Sequence, residues 1–264
     1  MKKFLVVLMA LTLMLAMIAC GEVADGADTG ADTGADTADT GADTADTAAD
    51  TSADTEPVVD DAVMSYAEYA AAAADDAVVI EAYVQATQSW YNNAIVVYAQ
   101  DQEGGYFIYN MACAEEDAAK LVPGTKIRVN GFKTEWEGMV EVAAGATFEI
   151  VEGADSFVAE AIDLTDKLGT DELKNYQSQL AAFKGLTVKT IEYKNGEPGD
   201  DIYLTLTKGD ADYSFCVERY LTAPDTDVYT TVGTLKAGDV VDVEGFVYWY
   251  KDSQPHITAI ALAE

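Results

Sequence analysis

Two stretches of this 264-residue chain repeat one pattern, and the repeat constrains the fold more than any other feature. LVPGTKIRVNGFKTEW at 121–136 returns as LKAGDVVDVEGFVYWY at 235–250, so that Gly131 corresponds to Gly245, 114 residues later. Each copy reads as a leucine that ends a short helix, a turn glycine, and a strand with a glycine inside it. A glycine within a strand suits a bulge or a sharp bend. The repeat therefore predicts one small β module that is used twice.

The first module predicts three strands, a short helix and two further strands. The elements expected from patterning are a helix over 63–74, strands over 77–88, 94–99 and 106–110, a helix over 115–121, and strands over 126–135 and 139–151. This order resembles the OB-fold, a five-stranded Greek-key barrel with a helix between strands three and four. The segments 85–93, 106–111 and 121–131 also resemble the OB-type domains of bacterial surface lipoproteins. That resemblance implies a binding domain, because OB domains as a class bind oligonucleotides, oligosaccharides or proteins.

The second module repeats the order. Its expected elements are a leading helix over 171–180, strands over 185–193, 202–207 and 212–219, a helix over 227–235, and strands over 239–250 and 256–262. The predicted fold class is all-β with short helices, as two tandem five-stranded OB-like Greek-key barrels after a disordered tether. The predicted domains are a first barrel over 62–153 and a linker plus second barrel over 154–264. The linker over 154–170 is apolar in part, and we expect it to pack between the modules.

The N-terminus predicts export and lipidation. Lys2 and Lys3 precede an apolar run over 4–18, which is shorter than the roughly 20 residues of a membrane span and fits a secretory signal. Ala19-Cys20 resembles the lipobox of bacterial lipoproteins, although Met17 and Ile18 depart from the residues usual there. The resemblance implies a lipoprotein signal peptide over 1–20, lipid on Cys20 and an extracytoplasmic, membrane-anchored protein. An ordinary signal peptide cut near Cys20 and an uncleaved anchor are the alternatives.

The segment 21–61 is built from Ala-Asp-Thr and Gly-Ala-Asp-Thr units. It has thirteen acidic residues, no lysine or arginine and no aromatic residue. Such a chain buries too little apolar surface to offset the entropy lost on ordering, which predicts a disordered acidic tether. Its aspartates lack the ordered ligand pattern of a calcium loop.

The charge of the chain disfavours one class of partner. The formal net charge is −32, and from Ala62 onward 34 acidic and 13 basic residues leave a balance of −21. A strongly acidic surface repels a phosphate backbone, so the charge disfavours nucleic acid as a partner.

The ligand groove of an OB-fold crosses strands two and three, flanked by the loops after strands one and four. The candidate groove residues are Trp90, Tyr91, Asn92, Tyr98, Tyr106, Tyr109 and Trp136, with Trp249 in the second module. Aromatic planes beside amides and carboxylates suit sugar rings or a peptide, whereas the alternative is that these aromatics cap the barrel core. The sequence thus predicts a binding or adaptor protein for a cell-surface glycan or protein. A module for single-stranded nucleic acid and a cation-dependent structural spacer are the alternatives.

No set of residues predicts catalysis, a cofactor or a bound metal. His256 is the only histidine and follows Pro255 in an alternating strand, where a structural role is expected. Cys113 and Cys216 lie in different modules. They form either a disulfide between the modules or two buried free thiols. Asp200 and Asp201, with a glutamate at 197, form the weak candidate for a hard cation.

Overall fold

The computed structural model describes residues 62–263. The predictions for the signal peptide, for lipidation of Cys20 and for the acidic tether lie outside these residues.

Residues 62–153 hold the first barrel. Its elements are α1 (Tyr66–Ala71), β1 (Ala77–Thr87), β2 (Ala94–Gln100), β3 (Gly105–Ala112), α2 (Glu115–Ala118), β4 (Lys126–Trp136), β5 (Met139–Val142) and β6 (Thr147–Ile150). The sheet order is β1-β2-β3-β5-β4-β6, and an additional β1–β4 pairing closes the barrel. The predicted fifth strand over 139–151 is divided in two, because the chain turns at Gly145, where φ is +88°.

The second barrel repeats this topology. Its elements are β7 (Ile162–Asp163), two 3-10 helices (Thr165–Lys167 and Asp171–Tyr176), β8 (Leu180–Tyr193), β9 (Ile202–Lys208), β10 (Ala211–Val217), α3 (Asp227–Val232), β11 (Val240–Phe246), β12 (Trp249–Tyr250), β13 (Asp252–Ser253) and β14 (His256–Leu262). The sheet order is β11-β14-β10-β9-β8-β7, closed by a β11–β8 pairing. The predicted fold class, an all-β chain with short helices and tandem OB-like barrels, is confirmed. The predicted helix over 171–180 is wrong in type and length, because a 3-10 helix ends at Tyr176 and β8 begins at Leu180.

The two repeat glycines allow close approach of neighbouring chain segments. β4 pairs with β6 up to Asn130 and with β5 from Lys133, so Gly131 lies where the strand changes partner. Gly245 lies at a register shift between β11 and β14, and a Cβ there would be 2.2 Å from the carbonyl oxygen of His256. Gly245 therefore occupies a bulge, as the repeat predicts.

Each barrel has its own apolar core, built by alternation along the strands. On β1, Val78, Ile80, Ala82 and Val84 point into the first core. α1 begins with a capping box at Ser65 and ends over Lys133, whose Nζ donates to three carbonyls of the 69–72 segment at 2.7 to 2.9 Å. The Lys133 ammonium therefore caps the C-terminal end of α1 instead of facing a ligand groove.

A third apolar cluster joins the barrels. It contains Val96, Tyr98, Phe107 and Met139 from the first barrel and Phe246 from the second. The rings of Tyr98 and Phe246 are stacked with centroids 4.4 Å apart. The Tyr98 hydroxyl and Nδ1 of His256 share a hydrogen bond of 2.8 Å, and burial lowers the pKa of His256 to about 3, so that its ring is neutral. The outer face of β2, β3 and β5 is therefore covered by the second barrel.

The linker contacts both barrels. Phe157 packs edge-on against Tyr83 of the first barrel, and the Ala159 amide donates to Gln85 Oε1 at 2.8 Å. Farther on, Leu164 belongs to the core of the second barrel. The expectation that this segment packs rather than hangs free is confirmed.

Candidate functional site

The best candidate for a ligand site is a cavity at the edge of the contact between the barrels. It is lined by Tyr109 of β3, Trp136 of β4, Glu141 of β5, and Tyr248 between β11 and β12. Its volume is about 340 Å³. We call it the aromatic cavity.

Strand alternation places Tyr109 and Glu141 in this cavity. Phe107 and Tyr109 share one face of β3, and Met139 and Glu141 share one face of β5. The first member of each pair is buried under the second barrel. Two residues further along each strand, the contact between the barrels opens, so Tyr109 and Glu141 face the cavity instead of a packed core.

The aromatic walls are held by neighbouring rings and remain open to solvent on one side. Tyr248 packs against Phe107 with centroids 5.5 Å apart and stacks on His256 at 4.0 Å. Trp136 contacts Tyr250 at 5.2 Å. Tyr109 is 42% exposed and Trp136 is 50% exposed, so both rings have a free surface.

Glu141 is the unusual residue of the cavity. It is 6% exposed, and its carboxylate forms no hydrogen bond or ion pair with the described residues. Its oxygens are not fully buried, so water in the cavity reaches them. Burial raises the pKa of Glu141 to about 7, and burial likewise raises the pKa of Tyr248 above its usual range. A ligand that displaced this water would leave the carboxylate without a hydrogen bond, which is costly unless the ligand supplies one.

The structure separates the predicted groove residues. Tyr98 is fully buried against the second barrel, and Tyr106 is buried in the first core, where its hydroxyl donates to Asp101 Oδ2 at 2.8 Å. Neither ring faces solvent. The prediction that a ligand crosses strands two and three must be corrected at these two positions, because the second barrel covers Tyr98 and the first core encloses Tyr106.

The loop after β1 and the second-barrel tryptophan lie outside the cavity. Trp90 donates its ring N–H to the Cys113 carbonyl at 2.8 Å and packs on the first core. Tyr91 is 80% exposed, and Asn92 has a left-handed φ of 50°. Trp249 packs over the turn at Gly138, where an added Cβ would be 2.6 Å from its Cδ1.

Two of the predicted residues, Tyr109 and Trp136, thus come together in the cavity. Sequence reasoning missed Glu141 and Tyr248. Glu141 had a signal, because it lies two residues from an apolar Met139 on one strand face. Tyr248 lies in the aromatic loop of the second module, but only the docking of the second barrel brings it together with Tyr109 and Trp136.

Within residues 62–263, the cation candidate and the two cysteines do not form a metal site or a disulfide. In the part of the chain that the structure describes, no three histidine, cysteine or acidic residues are placed to hold a metal ion. Asp201 forms an ion pair of 2.9 Å with Lys194, and Asp200 lies 3.6 Å from the same ammonium. Lys194 therefore already occupies the two aspartates of the cation candidate. Cys113 and Cys216 are both buried and unbonded, so the disulfide alternative is wrong.

No helix within residues 62–263 has the length and apolar character needed to cross a membrane.

Comparisons with known proteins show likeness at the level of overall structure only. No family model and no curated protein sequence matches the chain. An Ifi202 HINa domain in complex with 20-base-pair double-stranded DNA is 10% identical at a TM-score of 0.33, covering 69% of this chain and 94% of that chain. A murine DNA-binding protein bound with double-stranded DNA is 12% identical at 0.34, covering 70% and 96%. A replication protein A heterotrimer bound to single-stranded DNA is 11% identical at 0.29, covering 70% and 50%. Likenesses this distant do not bear on the ligand of this chain.

Proposed function

We propose that this chain is a non-catalytic binding or adaptor protein that takes a protein segment or a glycan of a bacterial cell surface into the aromatic cavity. The observation that carries the proposal is the convergence of Tyr109, Trp136 and Tyr248 around Glu141. Aromatic walls with a few polar groups are typical of small-ligand sites, which span roughly 300–1,000 Å³. A volume of about 340 Å³ suits one side chain or one sugar ring rather than an extended polymer.

We further propose that a lipid on Cys20 anchors the protein to the bacterial membrane. Lipid on this cysteine and the acidic segment 21–61 would hold the barrels away from an anionic membrane surface, with which residues 62–264 share their sign of charge. Cells fed radiolabelled palmitate should incorporate label into the wild-type protein and not into Cys20→Ala. Label retained by Cys20→Ala would contradict lipidation at this residue.

Single-stranded nucleic acid is the second candidate within the OB class. Half-exposed rings such as Tyr109 and Trp136 suit base stacking. The acidic balance and the absence of any lysine or arginine from the cavity lining oppose it. A fluorescence titration with a labelled oligonucleotide at low salt decides this question, since electrostatic binding is strongest there.

Two exposed aromatics allow a matched test of the site. A displayed peptide library and a glycan array are probed with the wild-type protein, with Trp136→Ala and with Tyr91→Ala. We expect the selected ligands to lose binding to Trp136→Ala and to keep it with Tyr91→Ala, because Tyr91 is 80% exposed on a loop outside the cavity. Loss in Tyr91→Ala alone would place the site on the loop after β1 and overturn the cavity as the ligand site.

A further inference from the structure

The charge of the cavity's ligand is set by Glu141. Glu141 is 6% exposed, and its carboxylate oxygens keep contact with the solvent of the cavity. A neutral ligand that covered it would remove its remaining water without supplying a hydrogen bond or a countercharge, which is unfavourable. An anionic ligand would add repulsion. A cation is the ligand that compensates the burial of Glu141.

The aromatic walls favour the same charge. A cation within roughly 6 Å of a ring centroid is attracted by the negative face of the ring. The chain uses this contact elsewhere, with Lys133 Nζ 5.3 Å from the ring of Tyr69 and Lys251 Nζ 5.1 Å from that of Tyr250. No lysine or arginine lines the aromatic cavity itself, so the cation must come with the ligand.

We infer that the aromatic cavity binds an alkylammonium group, and that the occupant is a lysine side chain of a partner protein. This inference rests on the proposed function of the cavity and narrows its ligand. A lysine matches the lining in two parts, because its aliphatic stem packs along aromatic surface and its compact ammonium has three donors for one carboxylate. The balance of −21 over residues 62–264 also favours encounter with a basic partner.

Protons compete with such a ligand. Because burial raises the pKa of Glu141 to about 7, its carboxylate takes up a proton as the pH falls through neutrality. The titratable groups that interact electrostatically with Glu141 are Tyr69 and Tyr248, and burial raises the pKa of both phenols above the usual tyrosine range, so neither ionises near neutrality. Cation affinity should therefore fall as pH drops from about 8 to about 5.5. Burial also raises the pKa of Glu218, which acts electrostatically on Tyr248, to about 7, so the part of the loss that Glu141→Gln removes is the part due to Glu141.

The test measures binding of defined probes to the full chain by calorimetry. The probes are an acetylated and amidated Gly-Lys-Gly peptide, its neutral norleucine counterpart, its arginine counterpart, and free n-butylammonium. The variants are Glu141→Gln and, as a control with the same change of charge, Glu197→Gln in an exposed loop of the second barrel. We expect the lysine peptide to bind at least about tenfold more tightly than the norleucine peptide. Glu141→Gln should abolish that preference together with its pH dependence, and Glu197→Gln should retain both.

The outcomes separate this inference from the proposed function. Binding of the lysine peptide over free n-butylammonium supports a protein partner, and the reverse preference would replace the lysine by a small free amine. Preference for the arginine peptide, or unchanged lysine binding in Glu141→Gln, would overturn the ammonium assignment. Library or glycan ligands that depend on Trp136 but not on Glu141 would leave the cavity as the binding site and refute only its cation selectivity. Loss of all dependence on Trp136 would refute both.

Discussion

At the scale of single residues, the hydrogen bond between Tyr98 and His256 is the polar contact buried most deeply between the barrels. Tyr98→Phe removes the hydroxyl and leaves Nδ1 of a neutral, buried imidazole without its partner. An unsatisfied buried group costs about 1–3 kcal/mol, so we expect the free energy of unfolding to fall by that amount. Urea unfolding near neutral pH measures it. Tyr91→Phe is the control, because Tyr91 is 80% exposed and its substitution should change stability by less than about 0.5 kcal/mol. Equal effects of the two substitutions would contradict a stabilising role for the bond.

Residue identity predicted the aromatic character of the site but not which rings remain open. Tyr98 and Tyr109 both belong to strands of the predicted groove and both suit a ligand face. Tyr98 lies under the second barrel, whereas Tyr109 lies at its edge with 42% of its surface exposed. The difference arises from docking between segments 158 residues apart, as in the contact of Tyr98 with His256. Local patterning holds no information about such a contact.

At the scale of elements, the repeat glycines differ in what an added methyl group would meet. At Gly245 a Cβ would lie 2.2 Å from the carbonyl oxygen of His256, a backbone atom that moves only if β14 moves. At Gly131 it would lie 2.6 Å from Val142 Cγ1, a side-chain atom that can rotate away, and 2.9 Å from Ala146 Cβ, which moves only by a small shift of the 143–146 turn. We expect Gly245→Ala to destabilise by more than about 3 kcal/mol and Gly131→Ala by about 1–3 kcal/mol.

Thermal and urea unfolding of both variants test this order. Gly196→Ala is the control for the cost of losing a glycine, since no atom lies within 4 Å of its added Cβ and only its φ of +78° is strained. It should cost about 1 kcal/mol. A loss in Gly245→Ala no larger than that in Gly196→Ala would show that the bulge in β11 adapts.

The order of elements was predictable because periodicity and turn residues specify strands locally. The ends of the elements, and the breaks within them, were less predictable. The segment 139–151 has strand-like composition throughout, yet the chain turns through Ala143–Ala146 so that β5 and β6 lie on opposite stretches of β4. The residues over 171–180 have helical spacing, but Leu173 is drawn into the second core and β8 begins at Leu180, which leaves room only for a 3-10 turn. In both places barrel closure overrides local preference.

At the scale of the whole molecule, the two barrels share the cluster of Tyr98, Phe107, Met139 and Phe246. Undocking the barrels would expose a large aromatic surface to water, so we expect undocking to be strongly unfavourable. We therefore expect one cooperative transition in urea, with circular dichroism and tryptophan fluorescence giving coincident curves.

Phe246→Ala tests whether this shared cluster couples the barrels. Phe246 stacks on Tyr98 across the contact, and its truncation should lower the free energy of unfolding by about 3–5 kcal/mol and separate the two probes into distinct transitions. Phe183→Ala is the matched control, because Phe183 is equally buried but packs inside the second core against Phe215. It should destabilise the second barrel without opening the contact first.

Since Tyr248 reaches the aromatic cavity only when the barrels are docked, Phe246→Ala should also weaken ligand binding at urea concentrations where the first barrel is still folded. Binding that survives the loss of docking would show that the first barrel alone forms the site.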